Sequence, residues 1–190
     1  MSDRTREPES GPERDGDQRT VYLRFGAMIA TSTLVMFALT YTNVFAVEHV
    51  RFSEERVYMA LLMGSAMAIV MLSFMRGMYP NRFLNVGIVL GALALGGIGL
   101  FLSQSQILVE DRAYMRGMIP HHSIAILTSE RAGIRDVRVR ELADEIIRAQ
   151  RREIAETDWL IEDIGENGLA TTQAEAQGRP APSFPATAAP

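Results

Sequence analysis

A chain of 190 residues with 47% hydrophobic content, a net charge of −4 and no cysteine can form no disulfide, no thiolate metal site and no cysteine nucleophile. The slightly acidic balance supplies no basic surface for nucleic acid, and no nucleic-acid partner is expected. The average hides the main feature, which is that apolar residues concentrate between Phe25 and Val109 while both ends are polar.

Residues 1–20 are charged, contain Gly and Pro, and carry almost no apolar side chains, so a disordered N-terminal tail is expected. Residues 21–109 read as a transmembrane region. Three runs lack charge: Phe25 to Val47, Val57 to Met75 and Phe83 to Val109. A bilayer core takes about 20 apolar residues as a helix, and lipid tolerates only segments that close their own backbone hydrogen bonds. The first run is too long for a cleaved signal peptide and two more spans follow it. Three buried soluble helices would need a core too large for this chain.

Arginine placement sets the expected orientation. Arg14, Arg19 and Arg24 precede the first span, and Arg76 and Arg82 lie between the second and third. These flanks are expected in the cytoplasm. The loop Glu48 to Arg56 offsets two Arg with three Glu and is expected outside, so the region after the third span is expected to be extracytoplasmic. In span three, Gly87 with Gly91 and Ala92 with Gly96 form small-residue pairs that permit close helix approach or are simply tolerated there. Met59, Met63, Met67, Met71 and Met75 fall every fourth residue along span two, with Met78 beyond. The ridge reads first as adaptable packing, with a thioether path for Cu(I) as the alternative.

Residues 110–164 read as a two-helix hairpin. Asp111 sits near the start of the first helix, Gly133 is a candidate C-cap and Asp136 a candidate N-cap. Pro120 falls inside the first helix, where a kink or restart is expected. The second helix carries a stripe of Val139, Leu142, Ile146, Gln150, Glu153, Thr157, Leu160 and Ile164, apolar except in its middle. A polar group on a buried stripe costs a few kcal/mol without a partner, so the first helix should supply one unless the stripe is wet there. From residue 165 to 190 the chain turns to Ala, Thr, Gln and Pro and is expected to be a disordered C-terminal tail.

Candidate chemistry gathers on the first hairpin helix. Met115, Met118, His121 and His122 lie within two turns, and the Met118–His122 and Met115–Met118 spacings put those pairs on one face. His121 and His122 diverge by about 100 degrees. Thioether and imidazole suit copper, above all Cu(I). The alternative is a structural, hydrogen-bonded His pair. A di-iron site fails, because no Glu lies three residues before either His.

The run Asp111-Arg-Ala-Tyr-Met-Arg-Gly-Met-Ile-Pro-His-His122, with Ala125-Ile126, Leu142-Ala143, Ile146-Ile147, Gln150, Glu153-Ile154 and Trp159-Leu160, resembles the domain of unknown function 305 family, in a membrane-anchored form. The resemblance covers residues 110–164. It implies a ferritin-like helical hairpin and extracytoplasmic copper binding, with Met118, His121 and His122 as ligands and Gln150 and Glu153 nearby. Where members often carry two further Met, this chain has Thr128 and Thr157.

The expected architecture is therefore all-α, with three transmembrane helices and an extracytoplasmic two-helix hairpin. The expected metal residues are Met115, Met118, His121, His122, Gln150 and Glu153, with copper as the candidate cofactor. A non-enzymatic metal-binding module and a protein-interaction module with a structural His pair both fit. An enzyme finds little support, although a His with Glu153 could act as acid and base. Two helices alone leave their stripes open, so a homo-oligomer is expected, in which two hairpins complete a four-helix bundle. The rival is docking of the hairpin near Glu48 and His49.

Overall fold

The computed structural model describes residues 12–185, with side chains described from residue 18. Residues 1–11 and 186–190 of the expected tails lie outside the described residues. The described chain is all-helical: α1 Pro12–Leu39, α2 Glu54–Phe74, α3 Arg82–Ser105, α4 Asp111–Arg131, α5 Val137–Asn167 and the short α6 Gln173–Gly178. Single 3-10 turns at Val47–His49 and Arg76–Met78 link α1 to α2 and α2 to α3. Within the expected N-terminal tail, residues 12–20 belong to α1.

Three helices are long and apolar enough to cross a membrane: Gln18–Leu39, Glu54–Phe74 and Arg82–Ser105. Two of them end earlier than their uncharged runs. The first run was expected to reach Val47, yet helix α1 stops at Leu39 because Thr40 and Thr42 turn their hydroxyls back onto the carbonyls of Phe37 and Leu39, at 2.7 and 2.8 Å. Such local side-chain bonds compete with helix continuation. The third run was expected to reach Val109, but α3 stops at Ser105 because Gln106 adopts φ 53°. The Gln106 amide donates to the Ser103 carbonyl and to Glu55 Oε2, which also satisfies this helix end.

The chain divides into two compact units. The first comprises Met1–Met36 and Met59–Phe101. Its core is Phe25, Ala68, Leu72, Tyr79 and Ala92, with Met71 and Met75 of the methionine ridge packed against it. Tyr79 lies against Phe25 and Tyr22, with ring centroids 5.1 and 5.3 Å away. The Tyr22 hydroxyl donates to Asn85 Oδ1 at 2.8 Å and accepts from the Asn81 N–H. Of the two small-residue pairs, Ala92 and Gly96 are buried, and a Cβ on Gly96 would sit 3.1 Å from Ser65 Cβ. Gly87 and Gly91 have open space where a Cβ would be. Gly64 is the tightest approach: a Cβ there would meet Thr33 Oγ1 at 2.7 Å.

The second unit comprises Phe37–Tyr58 and Leu102–Pro190. It holds the α4–α5 hairpin, whose core is Ile119, Ile126 and Ile154, supported by Ile147 and Ile161 on α5 and by Phe45 from the loop after α1. Burying each of these side chains contributes roughly 1.5–3 kcal/mol. Helix α4 runs through Pro120 without a restart, and Pro120 is itself fully buried. Asp136 caps α5 as expected, accepting from the Arg138 N–H at 2.9 Å. Gly133 does not cap α4. Ala132 does so in an extended conformation, and Gly133 lies in the loop beyond it.

The buried line on α5 also differs from the expected one. It runs through Ala143, Ile147, Ile154 and Ile161, while Val139 and Leu142 are exposed, Leu142 by 56%. The two lines are separated by roughly 80 degrees around the helix. The reason is that Ala143, Ile147, Ile154 and Ile161 recur at intervals of 4, 7 and 7 and meet Ile119 and Ile126 of α4.

The expected C-terminal tail also carries described structure. Helix α5 extends to Asn167, and α6 opens with a capping box between Thr172 and Glu175. Arg179 returns to α5, donating to Asp163 at 2.7 Å and to the Gly168 carbonyl.

Candidate functional site

The α4–α5 seam gathers three of the candidate residues. His122 on α4 and Glu153 on α5 face each other, with His122 Nε2 3.7 Å from Glu153 Oε2, too far for a hydrogen bond. Gln150, one turn earlier on α5, donates to the same carboxylate at 3.3 Å. The polar interruption of α5 is thus matched across the seam by His122. The His122 side chain is only 13% exposed, and its Nδ1 is buried without a hydrogen-bond partner. Burial lowers its pKa from the usual 6.5, partly offset by Glu153, with His121 lowering it further. The imidazole is therefore neutral near pH 7, with a ring nitrogen free to act as a ligand.

The other candidates spread around α4. Met115 is buried, two turns before His122 on α4. Met118 and His121 line a second recess of about 330 Å³, whose other wall includes Ser53, Glu54 and Glu55. His121 is exposed, and its ring centroid lies 5.9 Å from that of His122. The six residues therefore form no single cluster. Met118 occupies the boundary between the seam and the recess, half-buried and four residues before His122. Among the described residues, no three His, Cys, Asp or Glu side chains come together to hold a metal ion. Thr128 is exposed and returns its hydroxyl to the Ile124 and Ala125 carbonyls.

Sequence reasoning missed the most enclosed polar contact. Ser123, fully buried beside His122, accepts the Phe45 N–H at 2.7 Å and bonds His49 Nδ1 at 2.8 Å. His49 is 5% exposed. Burial lowers its pKa, partly offset by Asp158 and Glu48, while Arg51 lowers it further. Neutral Nδ1 then accepts the serine proton, and the serine oxygen accepts the backbone N–H. Arg51 pairs with Asp158 on α5 at 3.3 Å. Loop residues 45–53 thus cover the hairpin seam, the docking expected as the rival to dimerisation. The Ser-His pair is buried and ties the loop to α4. The available signal was a Ser at the i+4 position from Ile119 on a buried helix face.

A helical hairpin closed over a neutral histidine defines a small all-α module appended to three membrane-length helices. The family model described as "Domain of unknown function (DUF305)" matches residues 111–188, and the chain belongs to this family. The match continues past the hairpin into the segment that carries α6. The chain is also similar to "Uncharacterized protein L153" of Acanthamoeba polyphaga mimivirus, at 31% identity over 120 residues, covering 60% of this chain and 74% of that protein. No solved structure matches.

Proposed function

We propose that this protein is a membrane-anchored binding module, not an enzyme, with its N-terminus in the cytoplasm and its hairpin outside, and that the hairpin holds a soft transition metal, Cu(I). His122 and Met118 are the primary ligands, with Gln150 and Glu153 beside them and Met115 and His121 at the periphery. The observation that carries this reading is the His122 ring: buried, neutral and with Nδ1 unpartnered. A buried nitrogen without a partner costs about 1–3 kcal/mol, a cost that a ligated metal removes. A thioether one turn away matches Cu(I), which accepts soft ligands. The protein's part is to keep the imidazole unprotonated, and the Gln150 bond steadies the carboxylate that faces it. Copper bound here is held or passed on as cargo.

The division of the candidates between seam and recess favours a second reading, an interaction module in which His122 is structural. Titration of the purified full chain with Cu(I) against a competing chelator separates the two. His122→Ala weakens binding at least about tenfold, or about 1.4 kcal/mol. Equal binding by wild type and His121→Ala/His122→Ala leaves the interaction module.

A further inference from the structure

A crevice of about 670 Å³ opens between the end of α2 and the start of α3, in the first compact unit. Its walls are apolar, formed by Leu72, Val86, Val89 and Leu90. Arg76 and Arg82 line it as well, and no acidic residue does. Both arginines are exposed, and neither has an acidic partner among the described residues. Unpaired guanidinium groups at the end of a membrane-length helix pair, above an apolar slot, match an amphiphile with an anionic head.

The turn that carries these arginines is held firmly. Tyr79 is 4% exposed and packs on Phe25. The Asn85 side chain donates to the Tyr79 carbonyl at 2.8 Å. Asn81 Oδ1 accepts the N–H groups of Phe83 and Leu84, capping α3. Arg76 opens the 3-10 turn and Arg82 opens α3, so one guanidinium stem is fixed on each side of the anchored segment. Phe74 and Phe83 beside them are 87% and 92% exposed, as side chains that meet lipid would be.

We propose that this crevice is a binding site for an anionic phospholipid, with the phosphate between Arg76 and Arg82 and an acyl chain along Leu72, Val86, Val89 and Leu90. The inference rests on the reading of α2 and α3 as membrane spans and is independent of the metal. A net anionic headgroup is favoured over a zwitterionic one, because a choline ammonium meets two cations and no carboxylate.

The test uses the full chain, taken up from vesicles of equal phosphatidylglycerol and phosphatidylcholine, with retained lipid read by native mass spectrometry. Phosphatidylglycerol is retained in preference, and Arg76→Gln and Arg82→Gln each lower that retention about fivefold. Val89→Trp, which fills the slot and keeps both charges, lowers it as well. Excess inorganic phosphate does not displace the lipid. Equal retention of the two lipids, loss by exposed Arg24→Gln equal to that at Arg76, or retention unaffected by Val89→Trp each overturns the proposal. Carbonate extraction of membranes checks separately that the chain is integral, so a failed lipid site is not mistaken for a failed membrane assignment.

Discussion

Ser123 satisfies two groups at once, the Phe45 N–H and the His49 imidazole. Ser123→Ala leaves the buried His49 nitrogen and the half-buried Phe45 N–H without this partner, a cost of about 1–3 kcal/mol, measurable as a lower thermal midpoint of the full chain in detergent. His49 also makes this contact sensitive to acid. Its folded pKa lies below the usual 6.5, so between the two values the unfolded state binds more protons. Stability is fully present above pH 6.5 and falls as pH drops through the folded value. His122 is shifted the same way and adds to the slope. His49→Gln therefore removes part of the decline between pH 7 and pH 5. An unchanged slope in that variant would rule out a contribution from His49. Little of this was legible in the sequence, because a serine directly after a His-His dipeptide looks like one more polar residue until its partner 74 positions away is known.

Among the elements, the three helices long and apolar enough to cross a membrane were the most legible part, since lack of charge over about 20 residues admits few other structures. Their ends were less so. An uncharged run continues through Tyr41 and Phe45, but Thr40 and Thr42 decide where the helix stops. The α5 register was missed for a related reason. Two apolar lines run along that helix, and only the positions of Ile119 and Ile126 on α4 choose between them. Ile154→Ala removes a buried side chain and costs roughly 2–5 kcal/mol. Leu142→Ala, at an exposed site, stays within about 0.5 kcal/mol. Thermal denaturation of the two variants measures the difference, and equal effects would return the buried line to Leu142. The exposed pair of Val139 and Leu142, on one side of α5, is also where two copies would pair if the expected homo-oligomer forms. The absence of cysteine makes Leu142→Cys a clean probe: disulfide-linked dimers in membranes support pairing, and their absence counts against it.

For the whole molecule, the arginine distribution predicts that the turn at Pro80 and the hairpin lie on opposite sides of the bilayer. Reporter fusions after Pro80 and after Gly165 give opposite signals. Signals from the same side would remove the three-span topology. The candidate site was half legible at this scale. The facing of His122, Gln150 and Glu153 follows from helix spacing, but the turn of Met118 and His121 toward Glu54 and Glu55 depends on the start of α2, which spacing within the hairpin cannot report.

The early stop of α1 at Leu39 has a consequence for how this module can be moved or made. Residues 45–53, which cover the seam, lie outside the matched region 111–188 and are synthesised before α2 and α3. A graft of 111–188 onto another anchor would carry the hairpin without its cover, leaving Ile119 and Ser123 open to water. During synthesis the cover waits, already tethered, while two further helices are made. The hairpin, made last, then closes onto a segment that was made first.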